Sequence, residues 1–305
     1  MRTQETQEAV SAVIRKIASC AIPIRWRSQT IMPGGGERRS KSRGSSGHDV
    51  MARVEYEPGD DPRDIDWAAT AQTGGQSMLV TQYLEPREIN VYVLVDVKKT
   101  MDFGTARATK RILAAELAGS AIKSAGKTQD KVGFIAYCEK RLLKKRNPTN
   151  AKRALYPIVT EVIETAAAND GEGSGLIKSL RSLPKNRTLV FILSDFLDLT
   201  EDEKVALKRA SLVHDIVCVV IEDQRERELP AGWGPYTLKD MRTGKWKTIW
   251  LSEKSRQEFA ANHKRHRDAL LADLKAAHCQ SAVFSTEEGD AALPKMMLLF
   301  GGHRR

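Results

Sequence analysis

An aspartate followed at alternate positions by a lysine and a threonine, Asp96-Val97-Lys98-Lys99-Thr100, closes the apolar run Ile89 to Val95. This spacing is one change from D-x-S-x-S, in which a carboxylate and two hydroxyls converge on a hard cation such as Mg²⁺. Two other segments can add to it. Ser174, within Gly171-Glu172-Gly173-Ser174-Gly175, offers a hydroxyl, and Asp195, in Ser194-Asp195-Phe196 after another apolar run, offers a second carboxylate. Lys98 stands against a metal, because an ammonium has no lone pair to give. At ~4 Å and an effective dielectric of ~20 a unit pair is worth ~4 kcal/mol, and repulsion from a divalent ion is about twice that. The ammonium can instead lie between Asp96 and Asp195 as a fixed counterion, or swing into solvent and leave a weak metal site. Mg²⁺ is then disfavoured, and Lys98→Ser should restore its binding.

A second polar cluster is Tyr56-Glu57-Pro58-Gly59-Asp60-Asp61-Pro62-Arg63-Asp64-Ile65-Asp66-Trp67, with Asp60, Asp61, Asp64 and Asp66 around Arg63. Pro58-Gly59 is a turn dipeptide, flanking aspartates favour turn and cap hydrogen bonds, and an arginine can grip a carboxylate in a fixed fork. The segment reads as a structural corner, with Ile65 and Trp67 expected to bury, since no nucleophile and base stand at a recognisable spacing. The six histidines form no H-x-x-x-H or H-E-x-x-H pair, and the glycine-rich stretches Gly34 to Gly36 and Gly171 to Gly175 lack the Lys-Ser/Thr of a phosphate loop.

The elements that must position Asp96 and Asp195 follow from periodicity. Ile89 to Val95, Lys131 to Tyr137, Arg141 to Leu143, Thr188 to Leu193, Ile216 to Ile221 and Ser281 to Ser285 read as strands. Arg107 to Ser124, Lys152 to Thr165, Leu176 to Leu183, Glu201 to Val213 and Ser255 to Ala277 read as helices between them. Strands apolar on both faces, alternating with helices, predict a doubly wound α/β domain with a mostly parallel sheet of about six strands. In such sheets ligands collect at the carboxyl ends of the strands, where strand order reverses. Residues 225–252 break the period with Gly, Pro and aromatic residues, and Tyr236 to Lys239 and Lys245 to Trp250 flank Thr243-Gly244 like a hairpin inserted at the sheet edge. Ahead of the sheet, Glu5 to Ser19 reads as a short amphipathic helix and Arg38 to Gly47 as an irregular basic loop. The expected organisation is thus an N-terminal segment, 1–84, and a sheet domain, 85–305.

The 305 residues, 41% hydrophobic and 29% charged, are enough for one sizeable core and exclude a disordered tail. The longest apolar stretches, such as Val91 to Val95 and Met296 to Phe300, fall far short of the ~20 residues that span a bilayer. With no leader-like segment after Met1, a cytoplasmic location is expected. Cys20, Cys138, Cys218 and Cys279 are widely spaced, without a C-x-x-C pair, and read as small core residues. The net charge is +10, of which residues 1–50 supply half, with nine Lys/Arg against four Asp/Glu. That balance favours nucleic acid, an acidic membrane or an acidic protein, but the stretch Arg38 to Gly47 has no interleaved aromatic residues on which bases could stack.

The signature Tyr56 to Trp67 matches Y-x-P-G-D-D-x-R-x-I-D-W at Tyr56, Pro58, Gly59, Asp60, Asp61, Arg63, Ile65, Asp66 and Trp67. With Asp130-Lys131-Val132-Gly133, Ser194-Asp195-Phe196, His214-Asp215 and Glu228-Leu229-Pro230 in the same order, the chain resembles the bacterial domain-of-unknown-function family fifty-eight, a branch of the von Willebrand factor A-like folds. The resemblance implies a non-enzymatic protein-interaction module, similar to adaptors of MoxR-type AAA+ ATPases in complex assembly, maturation or stress response. It also implies a metal-ion-dependent adhesion site on Asp96, Thr100, Ser174 and Asp195, made degenerate where Lys98 replaces a serine. A basic nucleic-acid-binding protein and a metal-dependent hydrolase are the alternatives.

Overall fold

The computed structural model describes residues 2–19, 39–43, 49–57, 62–74, 77–86, 90–105, 108–127, 129–166, 172–197, 199–239, 244–292 and 295. The chain divides into two compact units, Met1–Trp26 with Ile89–Arg305, and Arg27–Glu88. Helix α1 (Arg2–Ser19) therefore belongs with the sheet, not with a separate N-terminal segment running to residue 84. Its stripe Val10, Val13 and Ile17 is buried, and it packs on two helices described below.

The smaller unit is a three-stranded antiparallel sheet. Strand β3 (Leu79–Pro86) lies between β1 (Arg39–Arg43) and β2 (Asp49–Glu55). The basic stretch expected to be irregular thus contributes a strand over residues 39–43. An available edge supplies the hydrogen-bond partners that Ser, Lys and Arg propensities would not by themselves recruit, and residues 44–48 lie outside the described residues. Helix α2 (Trp67–Gln72) starts at Asp66, whose carboxylate accepts from the Ala69 N–H at 3.0 Å and from Arg53 Nε at 3.0 Å.

In the larger unit, β4 (Asn90–Asp96), β5 (Lys131–Tyr137), β6 (Leu142–Asn150), β7 (Leu189–Ser194), β8 (Asp215–Glu222) and β11 (Gln280–Ser285) form one sheet in the order β11-β8-β7-β4-β5-β6. All neighbours are parallel except β5 and β6, so the sheet is mixed, with a single antiparallel edge. Runs such as Val91 to Val95 and Leu189 to Leu193 are β-branched and apolar because both faces are covered. On one face lie α5 (Gly175–Arg181), α6 (Glu201–Ser211) and α8 (Glu253–Ala276), through Leu176, Leu180, Leu207, Leu270 and Leu274. On the other, α3 (Lys110–Lys127) and α4 (Ala151–Glu164) pack against the strands, and α1 packs against both helices. The exposed edge strand β6 carries Lys144, Lys145 and Arg146, charges that discourage edge-to-edge pairing with another chain. The remaining elements are the one-turn helix α7 (Gln224–Arg227) and an antiparallel ribbon of β9 (Gly234–Lys239) and β10 (Trp246–Leu251), where the hairpin insertion was expected.

Candidate functional site

Strand order reverses between β4 and β7, the two central neighbours, and their carboxyl ends carry Asp96 and Asp195. Both carboxylates are buried, Asp96 completely. Lys98, two residues beyond β4, brings Nζ to 3.1 Å from Asp96 Oδ2 while its N–H donates to Asp96 Oδ1 at 3.1 Å. The Ser194 hydroxyl donates to Asp96 Oδ2 at 2.7 Å, and the Phe196 N–H donates to Ser194 Oγ at 3.1 Å. Phe196 takes a φ of 48°, a left-handed conformation uncommon for a bulky residue, and is itself buried.

Asp195 has its own cation. Lys110, the first residue of α3 and wholly buried, places Nζ 3.0 Å from Asp195 Oδ2 and 2.6 Å from Glu226 Oε1 of α7. The rim is therefore a chain of alternating charge, with Lys98 on Asp96 and Lys110 between Asp195 and Glu226. The expected position of Lys98 between both aspartates is half of the arrangement. It contacts Asp96, and its charge still acts on Asp195.

The titration behaviour follows from this layout. For Lys98 and Lys110 burial disfavours the charged form, yet the facing carboxylates, Asp96 with Asp195 and Asp195 with Glu226, hold both ammonium groups above the usual lysine range. Burial would also raise Asp195, but Lys110 and Lys98, with Thr100 beside it, keep its carboxyl below 3.8. Asp96 moves the other way. Its complete burial, and to a smaller extent the Asp195 charge, outweigh Lys98 and push it above 3.8. Burial and the charge of Asp96 likewise keep the Tyr137 phenol protonated.

Thr100 lies on the 3₁₀ turn Lys99–Asp102, with its Oγ1 buried and no hydrogen bond of good geometry, although it lies close enough to Asp195 to help hold that carboxyl low. Ser174 caps α5, where its Oγ accepts from the Ile177 N–H at 3.3 Å and its hydroxyl donates to Glu203 Oε1. Glu203 in turn closes a capping box with Thr200 at the start of α6. Gly175 lets the start of α5 approach the turn between β5 and β6, because a Cβ there would fall 1.9 Å from the Cys138 carbonyl oxygen. Lys98, Ser174, Glu203, Tyr137 and Lys140 line an open cleft of about 460 Å³.

A divalent ion does not fit this rim. Two ammonium groups stand at 3.1 and 3.0 Å from the carboxylates that would be ligands, and Ser174 is committed to Glu203. Only the Thr100 hydroxyl is left over. Nor does Lys98→Ser alone clear the site, because Lys110 remains on Asp195.

Sequence reasoning missed Lys110, although a signal was present. Lys110 falls in register with Leu113, Ala114, Leu117 and Ala121, the buried stripe of α3, and a lysine in an apolar stripe needs an acidic partner. Asp223, after β8, is a further buried carboxylate of this sheet end; it accepts from the Thr105 N–H at 2.9 Å and from the Thr286 hydroxyl at 2.6 Å. The signature corner lies in the other unit. There Tyr56 donates its N–H to the Met78 carbonyl at 2.7 Å, Ile65 is buried in a bridge to Val80, and Arg63 is exposed on the 3₁₀ turn Pro62–Asp64. Trp67, expected to bury, is 64% exposed, because position 67 opens helix α2 while Ala69 and Thr70 face inward. Pro58, Gly59, Asp60 and Asp61 lie outside the described residues.

Among known proteins, the chain is 26% identical over 239 residues to the uncharacterized protein Rv1480 of Mycobacterium tuberculosis (strain ATCC 25618 / H37Rv), over 78% of this chain and 71% of that protein. The uncharacterized protein Mb1516 of Mycobacterium bovis is similar to the same degree. Of solved structures, the conserved hypothetical protein BatB from Bacteroides thetaiotaomicron is similar at a TM-score of 0.41 and 15% identity, over 70% of this chain and 98% of that one. A von Willebrand factor type A protein from Catenulispora acidiphila is similar at a TM-score of 0.36 and 17% identity, over 72% and 43% of the two chains. Residues 52–269, which hold both the corner and the rim from Asp96 to Glu226, match the profile of the family described as "Protein of unknown function DUF58", and the chain belongs to that family.

Proposed function

We propose that this protein is a non-enzymatic, cytoplasmic interaction module that docks a partner at the carboxyl-end rim without a divalent metal, and that the partner is a MoxR-type AAA+ ATPase served in complex assembly, maturation or stress response. The observation that supports this most is the direct pairing of each switch-point carboxylate with a lysine, beside a cleft open enough to receive a partner's side chains. Asp96 and Asp195, each held against an ammonium group, are poor ligands, whereas a rigid, ion-paired rim keeps the surrounding loops in one geometry. Among the described residues no helix is long and apolar enough to cross a membrane.

The test uses the exposed lysines at the rim's edge, Lys99 and Lys140, and leaves the half-buried Lys98 intact. Charges at the edge of an interface act mainly on encounter rate. Lys99→Glu with Lys140→Glu should slow association with the ATPase on the order of tenfold at low salt, with little change in dissociation, in surface plasmon resonance. Addition of Mg²⁺ or of chelator should leave both rates unchanged. Unaltered association would move the interface away from the rim, and Mg²⁺-dependent capture would restore a metal role.

A further inference from the structure

The ribbon inserted between β8 and α8 presents three tryptophans to solvent. Trp233, Trp246 and Trp250 are 79%, 67% and 56% exposed. Cross-strand register places them together. Trp250 pairs with Pro235, Thr248 with Thr237 and Trp246 with Lys239, and directly opposed residues share a face. The Thr237 and Thr248 hydroxyls meet across the strands at 3.3 Å, which fixes that shared face. Trp233 stands edge-on to Trp250, with ring centroids 5.1 Å apart. On the opposite face Tyr236, Leu238, Ile249 and Leu251 are buried or half-buried, and Lys247, opposite Leu238, is exposed. The rings thus occupy the outward side of a ribbon whose apolar residues on the other side are largely covered.

The charge of the surrounding sequence is one-sided. Residues 244–268 hold seven Lys/Arg against three Asp/Glu, which is +4 of the chain's +10 in a twelfth of its length. Lys245, Lys247, Lys254, Lys264 and Arg265 of this stretch are exposed. Aromatic rings set out along a strand and bordered by lysines match a polyanion that carries flat apolar groups. Trp246 and Trp250 are about 13 Å apart at strand rise, with the Thr pair between them, so the rings can be reached by separate bases of one extended strand. A bilayer is the poorer match, because hydroxyls interrupt the apolar face and it lacks the continuous apolar stripe of an interfacial segment.

We infer that the outward face of the β9–β10 ribbon binds single-stranded nucleic acid, stacking bases on Trp246, Trp250 and Trp233 while the neighbouring lysines meet the phosphates. None of these tryptophans and lysines belongs to the rim proposed for the ATPase. The aromatic residues absent from the N-terminal basic stretch are present here, interleaved with charge.

Fluorescence anisotropy of the full-length protein with labelled oligothymidylate of about twenty nucleotides tests the inference, with oligouridylate in parallel to separate DNA from RNA and a duplex of equal length as control. Binding should quench tryptophan emission and weaken steeply with salt. Trp246→Ala and Trp250→Ala should each weaken it on the order of tenfold, while Trp246→Phe retains most of it, with circular dichroism confirming the fold. Absence of binding at low salt overturns the inference. So does binding that the tryptophan variants leave unchanged, which would reflect charge alone. Tryptophan-dependent sedimentation with phosphatidylglycerol vesicles, without oligonucleotide binding, would assign the face to lipid instead.

Discussion

Lys110 makes two ion pairs from a position with no solvent exposure, and among the described residues its partners have no other cation as close. Desolvating such groups is costly, so the net worth of the arrangement depends on every member being matched. Removing one member exposes the imbalance. Lys110→Met keeps the length of the side chain but leaves the buried Asp195 and the half-buried Glu226 without their shared ammonium group, and should cost ~3–5 kcal/mol in urea unfolding. Adding Asp195→Asn should recover part of that loss, because a neutral amide tolerates the site. If Lys110→Met costs less than a surface substitution, the bridge is not holding the rim. Lys98 has 18% of its side chain exposed and can be relieved by water, so its truncation should be milder.

Helix α1 shows how an element far from the rim in sequence is joined to the sheet unit. Ile17 packs where α3 has Gly119, and a Cβ at Gly119 would fall 2.2 Å from the Ile17 Cδ1. Lys123 of α3 then donates to the Ile17 and Ala18 carbonyls at 2.7 and 3.0 Å, satisfying acceptors left over at the end of α1. Lys16 pairs with Glu116 alongside. Ile17→Ala should therefore destabilise the fold by ~2–5 kcal/mol in thermal or urea unfolding. An effect below ~1 kcal/mol would mean that α1 is a separable appendage, as its place in the sequence suggests. The same logic of close approach acts at Gly175, where any side chain would collide with backbone and displace the Ser174 cap.

For the whole molecule, the pH dependence of stability carries a histidine signature. His214 Nδ1 lies 2.9 Å from Thr188 Oγ1, and burial holds its pKa below 6.5; His263 is shifted the same way, by burial and by nearby arginines. As pH falls through 6.5 the unfolded chain takes up protons that the folded chain refuses, so stability declines with acidification until the lower folded value is reached. Asp96, Glu222 and Glu226, whose carboxyls burial raises, act in the opposite sense at lower pH. The His214 contribution is therefore the difference between wild type and His214→Gln, with the variant losing less stability between about pH 7.5 and about pH 5.5. Equal losses would show that His214 titrates normally. On this same scale, the amino-acid sequence alone determined the elements of the sheet unit, because apolar runs of strand length and helical stripes are local patterns. It also placed Asp96 and Asp195 at the ends of their strands, since each carboxylate directly follows or closes an apolar run. The tertiary structure alone decided that these strands are neighbours, that a lysine from a third element neutralises Asp195, and that Ser174 answers to Glu203 and not to a metal. It also decided that residues 39–43 pair as a strand and that Trp67 faces solvent. Each of these depends on which distant segment supplies the partner, and ion pairing, edge pairing and burial are settled by proximity in space, which local periodicity does not encode.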